Sequence, residues 1–406
     1  SPCHMESPTQ MSKSKNGNGH AGSGVFGSPD RVLVKRGLAE FRSGRPVVVS
    51  THDSKFLLTL PVDGLDQARL HAFEQLCAPA KPRLVVTARR ARALGIEAAG
   101  PVALKLDANP NADVIYSLVA DADPSEDAEL DGPASEAAGA AIELAKIAHR
   151  LPALLVAEID SPASAMIEPP VVVVAADAVL RFRRDDANSL EIASEAKVPL
   201  QGGLSTRFVV FRDAVGGGSV AVIVGNPDFS KPMPVRLHSA CLTGDVFGSS
   251  RCDCGDQLRL ATKRLNEEGG GVILYLEQEG RGLGLANKMR AYALQDEGLD
   301  TVDANTTLGF DDDERHYGVA ARMLQKLGCT SIYLMTNNPA KLDGLSGLGI
   351  EVVGRKPLHA PINAHNRRYM TAKAMRAGHK LDHLMAALAA EAGEVQTVVR
   401  AAEEVR

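Results

Sequence analysis

Three cysteines fall within fourteen positions, in the order Cys241-Leu-Thr-Gly-Asp-Val-Phe-Gly-Ser-Ser-Arg-Cys252-Asp-Cys254. Thiolates are soft ligands suited to zinc, and three of them on one loop supply three corners of a tetrahedron. Two kinds of site fit that pattern. If no fourth side chain closes it, water takes the open position and zinc lowers its pKa to about 7, which makes a hydrolytic centre. If His238 closes it, the site is structural. Gly244, Gly248 and Gly255 mark an irregular loop rather than a place for plain core cysteines. Cys77 and Cys329 sit among apolar neighbours and read as core.

Three further segments carry chemistry. Tyr275-Leu-Glu277-Gln runs into Glu279-Gly280-Arg281-Gly282-Leu-Gly284, a glycine repeat that opens a helix. Such a turn either brings backbone amides and a helix N-terminus to a phosphate or only makes a tight bend. Arg281 inclines it toward an anion, and Glu279 offers an acceptor for a base or an amino group. Asp311-Asp312-Asp313-Glu314-Arg315 precedes an amphipathic pattern. The acids either cap a helix beginning near Asp313 or set Asp313 as a base beside Arg315, and on spacing alone the cap has the stronger case. Thr336-Asn-Asn-Pro-Ala-Lys341 lies at a strand end, where it either holds phosphate through Thr336 and Lys341 or simply turns the chain.

These segments need a frame. A chain of 406 residues holds two or three domains. From Asp30 an amphipathic helix with Val34, Leu38 and Phe41 leads to the strand Val47-Val48-Val49. Strands at Arg83–Thr87, Val102–Leu106 and Ala153–Ala157 alternate with helices, among them Ala137–His149 and Ala176–Phe182. The acidic stretch Asp121–Ser135 reads as a surface loop or lid. After a boundary near Asp185–Asn188, Phe208–Phe211 and Ser219–Val224 form an antiparallel pair, and strands at Val235–His238, Val272–Leu276, Ser331–Met335 and Ile350–Val353 alternate with helices ending near Gly269, Gly298 and Gly328. The fold class is therefore α+β or α/β in two domains. The divisions fall at 1–28, 29–185, 186–382 and 383–406, with tails at both ends. The first residues, Ser-Pro-Cys-His-Met, read as a leftover of the expression vector.

Composition narrows the functions. A net charge of −5 argues against a broad nucleic-acid surface, and 4% aromatics without tryptophan argue against base-stacking platforms. No apolar run approaches the roughly 18 residues of a membrane span. Six cysteines without a disulfide pattern point to a reducing, cytoplasmic setting.

Read jointly, the segments from about Glu195 to about His379 resemble GTP cyclohydrolase II, the family that opens riboflavin biosynthesis. The carriers are Arg236-Leu-His-Ser with the cysteine loop, Gln278-Glu-Gly-Arg, Asn287-Lys-Met-Arg-Ala-Tyr-Ala-Leu-Gln-Asp, Thr301-Val-Asp-Ala-Asn with Leu-Gly-Phe, and Thr336-Asn-Asn-Pro. The resemblance implies a catalytic zinc on Cys241, Cys252 and Cys254, whose water attacks C8 of guanine before a second hydrolysis releases formate. It implies that Arg315 attacks the α-phosphate and expels pyrophosphate, with Asp313 as proton acceptor and Tyr292 near the metal. Contacts to GTP would come from Arg236, His238, Ser239, Gln257, Glu279, Gly280, Arg281, Thr301, Thr336 and Lys341. Mg²⁺ would accompany the triphosphate, and we expect a homodimer.

Two positions depart from the family pattern. Ala240 stands where glutamate is usual, and Glu277 where arginine is common. An anion in place of a cation beside a polyphosphate is expected to cost about 1–4 kcal/mol of binding.

Residues 29–185 resemble, more distantly, 3,4-dihydroxy-2-butanone 4-phosphate synthase. The carriers are Leu38-Ala-Glu-Phe-Arg-Ser-Gly-Arg-Pro-Val-Val-Val, Ala141-Ile-Glu-Leu-Ala-Lys-Ile-Ala and Pro170-Val-Val-Val-Val-Ala-Ala-Asp. The acidic loop which that family uses for Mg²⁺ and proton transfer is replaced here by Ser50-Thr-His-Asp-Ser-Lys-Phe-Leu-Leu-Thr, and its Gly-His-Thr-Glu element is missing around Asn109–Ser117. We expect no synthase activity from it, and a structural or dimerising role.

Overall fold

Pro29 and Asp30 in the first turn favour a helix start, and Val34, Leu38 and Phe41 then return on one face at helical spacing. All three are fully buried. The computed structural model describes residues 27–213, 218–361, 366, 370–371, 374–376 and 381. Nearly all of the tail expected at 1–28, the tip of the Gly216–Gly218 turn and the tail beyond 382 lie outside the described residues.

The first unit comprises α1 (Pro29–Arg42), β1 (Val47–Ser50), β2 (Phe56–Pro61), α2 (Gln67–Cys77), β3 (Arg83–Val86), α3 (Ala88–Ala93), β4 (Val102–Leu104), α4 (Ala112–Ala120), β5 (Leu130–Pro133), α5 (Glu136–Ile147), β6 (Ala153–Ile159), β7 (Val172–Ala175) and α6 (Ala176–Asn188). Its sheet runs β5-β4-β3-β6-β2-β1-β7, antiparallel except for β1 against β7. One face is covered by α1, α5 and α6 around Phe41, Leu144 and Phe182. The other carries Leu70, Phe73, Leu84 and Leu155.

The second unit follows as β8 (Glu191–Lys197), β9 (Thr206–Arg212), β10 (Val220–Gly225), β11 (Met233–Ser239), α7 (Leu242–Asp245), α8 (Cys254–Glu267), β12 (Gly270–Leu276), α9 (Leu285–Asp296), α10 (Thr301–Thr307), α11 (Gly318–Lys326), β13 (Ser331–Met335), α12 (Ala340–Ser346) and β14 (Glu351–Lys356). Its sheet runs β14-β13-β11-β12-β10-β9-β8. The half from β8 to β12 is antiparallel, and β12, β11, β13 and β14 are parallel. From β11 the chain passes first to β12 on one side and later to β13 on the other. That makes the carboxyl end of β11 a switch point, the usual place for a ligand crevice.

The structure corrects several expectations. The helix expected from Asp313 begins at Gly318, so the acids at 311–314 do not cap it. Helix α6 does not stop at Phe182 but continues to Asn188. The stretch 121–135 contributes the edge strand β5. Most important, the segment after β12 leaves its own sheet. Leu283, Ala291, Leu294, Ala304, Leu308 and Phe310 are buried in one core with Leu70, Phe73 and Val86 of the first unit. Each fully buried leucine or phenylalanine there contributes about 1.5–3 kcal/mol.

Candidate active site

The three parallel strands β11, β12 and β13 all end at one pocket. Strand β11 delivers Arg236, His238 and Ser239, the turn after β12 delivers Gln278, Glu279, Gly280 and Arg281, and the turn after β13 delivers Thr336, Asn337, Asn338 and Lys341. The cysteine loop, Gln257 of α8, Lys288 and Tyr292 of α9, and Arg315 complete the wall. The pocket holds about 110 Å³ and is open to the surface.

Cys241, Cys252 and Cys254 present sulfur atoms that all lie within 4.8 Å of one another. Cys241 Sγ and Cys252 Sγ are 3.7 Å apart. The loop is shaped around them: a Cβ on Gly244 would stand 2.8 Å from Cys252 Sγ and 3.2 Å from Cys241 Sγ, and one on Gly255 would overlap the Gly244 carbonyl at 2.2 Å. Backbone held this close to three convergent thiols fits a metal ion of zinc's preference. His238 does not join the cluster. Its Nε2 meets the Asp245 carboxylate at 3.0 and 3.1 Å, and that carboxylate also accepts from Cys241 N and Tyr275 Oη, each at 2.9 Å. Burial, ahead of the field of Arg236, lowers the His238 pKa against the pull of Asp245. Closure of the site by His238 is therefore not what this geometry favours.

Lys288 joins the site beyond the residues that the sequence motifs single out. Its ammonium lies 3.1 Å from Cys241 Sγ, 3.0 Å from Thr243 Oγ1 and 2.7 Å from Glu279 Oε1. Burial opposes that charge, but Glu279, Tyr292 and Cys241 outweigh it and raise the Lys288 pKa. Glu279 also accepts from Leu242 N at 2.6 Å, so it braces the cysteine loop as well as lining the pocket. Tyr292 lies under Arg251, whose guanidinium carbon is 4.4 Å from the ring centre.

The glycine repeat resolves toward packing. A Cβ on Gly280 would touch Lys288 at 3.0 Å, one on Gly282 the Glu314 carbonyl at 2.8 Å, and one on Gly284 His149 at 2.8 Å. The chain itself requires the glycines. Arg281 nonetheless lines the pocket, with a positive φ of 60° and its Nη1 2.7 Å from Asp312 Oδ1.

Arg315 reaches the pocket with Asp313 behind it. The Asp313 carboxylate accepts from Arg315 N at 3.0 Å, Nε at 2.7 Å and Nη2 at 2.5 Å. Burial would raise the Asp313 pKa, but Arg315 and the field of Arg281 hold it below the usual value. Arg236 is buried; it donates to Met335 O at 3.1 Å and to Gln257 Oε1, and burial lowers its pKa to about 10. Arg236 Nε and His238 Nδ1 are buried without a hydrogen-bond partner, an arrangement that costs about 1–3 kcal/mol each until a ligand or water meets them. Lys341 is buried and donates to Leu237 O at 2.9 Å.

Two expected positions fall elsewhere. Thr301 opens α10, against the first unit, and is not among the residues lining the pocket. Glu277 is exposed and is not among the residues lining the pocket; it lines an adjoining cleft with Arg42, Arg183 and Gly318. Gln278 and Arg315 line both this cleft and the pocket. Ala240 does line the pocket.

Fold and site together define an α/β enzyme with a candidate thiolate metal centre in a cation-lined pocket at the carboxyl ends of parallel strands. The chain belongs to the GTP cyclohydrolase II family. A model of that family matches residues 191–357. A GTP cyclohydrolase-2 of Azospirillum brasilense is 43% identical over 362 residues, covering 85% of this chain and 93% of its own. A GTP cyclohydrolase-2 of Azotobacter vinelandii is 48% identical over 209 residues, which is 52% of this chain but 98% of that one. A solved two-domain 3,4-dihydroxy-2-butanone 4-phosphate synthase of A. baumannii covers 81% of this chain and 99% of its own at 16% identity and a TM-score of 0.31, and nothing about this chain follows from it. Among the described residues no helix is long and apolar enough to cross a membrane.

Proposed function

We propose that this chain hydrolyses GTP to 2,5-diamino-6-(5-phosphoribosylamino)pyrimidin-4-one, formate and pyrophosphate. The observation that carries the reading is one shared cavity: Arg315, backed by Asp313, and the three thiols line the same pocket. A group that attacks phosphorus and a metal site can thereby act on two parts of one nucleotide. Zinc held by Cys241, Cys252 and Cys254 would supply a Lewis acid that activates water for opening the guanine imidazole ring.

The remaining work falls to side chains. A guanidinium with a pKa above about 12 is a poor nucleophile, and it needs a base and a site shielded from water. Asp313 supplies the base at 2.7 Å. In the proposed step an Arg315 nitrogen forms a bond to the α-phosphorus while the bond to the bridging oxygen breaks. Pyrophosphate leaves with that electron pair and the nitrogen's proton passes to Asp313. Water then cleaves the P–N bond and restores the arginine. Arg236, Arg281 and Lys341 would meet the phosphates, with Mg²⁺ carried on the triphosphate; His238, Ser239, Gln257, Glu279, Gly280 and Thr336 would complete the contacts, and Tyr292 would stand near the zinc. A homodimer in a reducing, cytoplasmic compartment is part of the same proposal.

The first unit is proposed to be inactive as a synthase. In support, residues 51–55 between β1 and β2 form a tight turn closed by Thr51 N to Lys55 O at 3.1 Å, and Asp53 there is spent on Lys55 at 2.7 Å.

The test is direct. Zinc-loaded protein given GTP should release formate and pyrophosphate, with the product mass confirmed by mass spectrometry. Arg315→Ala should abolish pyrophosphate release while GTP still binds. GTP bound without any turnover by the unaltered protein would replace this reading with a regulatory one.

A further inference from the structure

The loop that carries Asp313 and Arg315 is held from both units: Arg281 and Gln278 of its own unit bond Asp312 and His316, and the first unit grips it at several further points. Thr87 Oγ1 donates to Gly309 O at 2.6 Å, and Gly309 has a φ of +86° with Thr87 Oγ1 only 3.0 Å from where a Cβ would stand. Arg90 is buried in the first unit and spends its guanidinium on backbone carbonyls: Thr307 O at 2.8 Å from across the junction, and Leu118, Ser117 and Asp121 O at 2.8, 3.1 and 2.8 Å from its own side. Phe310 is buried in the first unit's core. Arg89 Nε meets Asp311 Oδ1 at 2.8 Å.

The buried ion pair of this junction is made by Lys146 of α5. Its Nζ lies 2.7 Å from Glu314 Oε1, with both side chains about nine-tenths buried, and 3.8 Å from Asp311. The same Glu314 oxygen accepts Asp311 N at 2.9 Å. Lys146 thus closes a five-residue turn, 311–315, between the two residues proposed to act on phosphorus and the first unit. On its other side the turn rests on the glycine repeat, through Glu314 N to Arg281 O at 3.1 Å.

We propose that the first unit is a positioning element for the cyclohydrolase reaction, and that Lys146 is a positioning residue that acts on Arg315 through Glu314. This rests on the reading of Arg315 given above. A relative half as long carries the cyclohydrolase name without this much chain, so the dependence belongs to chains built like this one rather than to the chemistry.

Lys146→Met keeps the stem and removes the charge; Lys146→Arg restores a donor. Because a misplacement near 1 Å can cost about 10²-fold in rate, we expect Lys146→Met to lower kcat for pyrophosphate release about 10- to 100-fold. KM and zinc content should stay near those of the parent protein, and Lys146→Arg should recover part of kcat. Amides of residues 311–315 should exchange hydrogen faster in Lys146→Met while those of β12 do not. An unchanged kcat with a tightly protected loop overturns the proposal, as does a loss that tracks zinc or global unfolding and is not eased by arginine. If Lys146→Met fails to fold, Arg89→Gln at the exposed edge of the same clamp takes its place: faster exchange at 311–315 with a lower kcat supports the proposal, and no change in either overturns it. If the unaltered protein releases neither product, the functional reading fails, and the exchange comparison still decides whether the first unit holds the loop.

Discussion

Lys288 is the fourth residue of α9, where a positive charge opposes the helix dipole, and the first turn offers it no acidic neighbour. Its reason lies across the pocket, in Glu279 and the Cys241 sulfur. Lys288→Met should leave the Glu279 carboxylate, only 16% exposed, without its cation, at a cost of about 2–4 kcal/mol in a urea melt. It should also weaken zinc about 10- to 100-fold, since the thiolate loses its orienting donor; competition with a chromophoric chelator would read that. A cation misplaced in a first turn was the sequence signal for this residue. Histidines give the pH dependence. Burial lowers His238, and lowers His316 to about 4 with Arg183 as the next cause. A histidine depressed in the fold is neutral there while the unfolded chain takes a proton, so stability falls as pH drops below about 6.5 and levels off under the folded value. Melts at pH 7.5 and 5 should differ in that direction, and His316→Gln should reduce the difference.

At the scale of elements, the site is a consequence of β11, β12 and β13 running parallel and ending together. The short helix α7 must then pass close to two of the sulfurs and the Cβ of the third cysteine. Gly244→Ala places a methyl 2.8 Å from Cys252 Sγ, so we expect metal stoichiometry to fall well below one. Gly248→Ala meets no atom within 4 Å but requires a φ of +65°; it should cost about 1 kcal/mol while keeping the metal. Equal metal loss in both variants would refute the idea that proximity to sulfur matters. Strands β12 and β13 were legible because they are nearly continuous apolar runs, as strands buried on both faces are, whereas β11 alternates Val235 and Leu237 with Arg236 and His238. Strand β8 was not, since all seven of its residues are exposed and show no alternation. The start of α11 was misread for a different reason. Val319, Ala320, Met323 and Leu324 do mark its apolar face, but the acids before it look like a cap and are instead claimed by Arg89, Lys146, Arg281 and Arg315. Local propensity cannot reveal partners such as Arg89 and Lys146, which lie more than a hundred residues away. The cysteine cluster and the pairing of Asp313 with Arg315 were suggested by motif order; the partners of Lys288, Asp245 and Lys146 needed the tertiary fold.

At the scale of the molecule, two sheets do not make two independent bodies. The segment from Leu283 to Phe310 belongs to the second unit by sequence and to the first by burial. Polar ties follow the same route: Arg290 holds Asp63 at 2.7 and 3.2 Å, and Asn287 donates to His149 O at 3.1 Å. Cutting the chain after α6 would expose Leu283, Leu294, Leu308 and Phe310 at once, each forfeiting about 1.5–3 kcal/mol, against the roughly 5–15 kcal/mol that holds a domain together. A fragment of residues 189–406 is therefore expected to bind a hydrophobic dye, to melt without a cooperative transition and to release little pyrophosphate from GTP. Adding residues 27–188 as a separate chain should quench the dye signal and restore turnover, because the interface is built from preformed elements on both sides. A fragment 189–406 that melted cooperatively and turned over GTP like the full chain would mean that the junction is only a convenient contact, and that the loop holds Arg315 in place unaided.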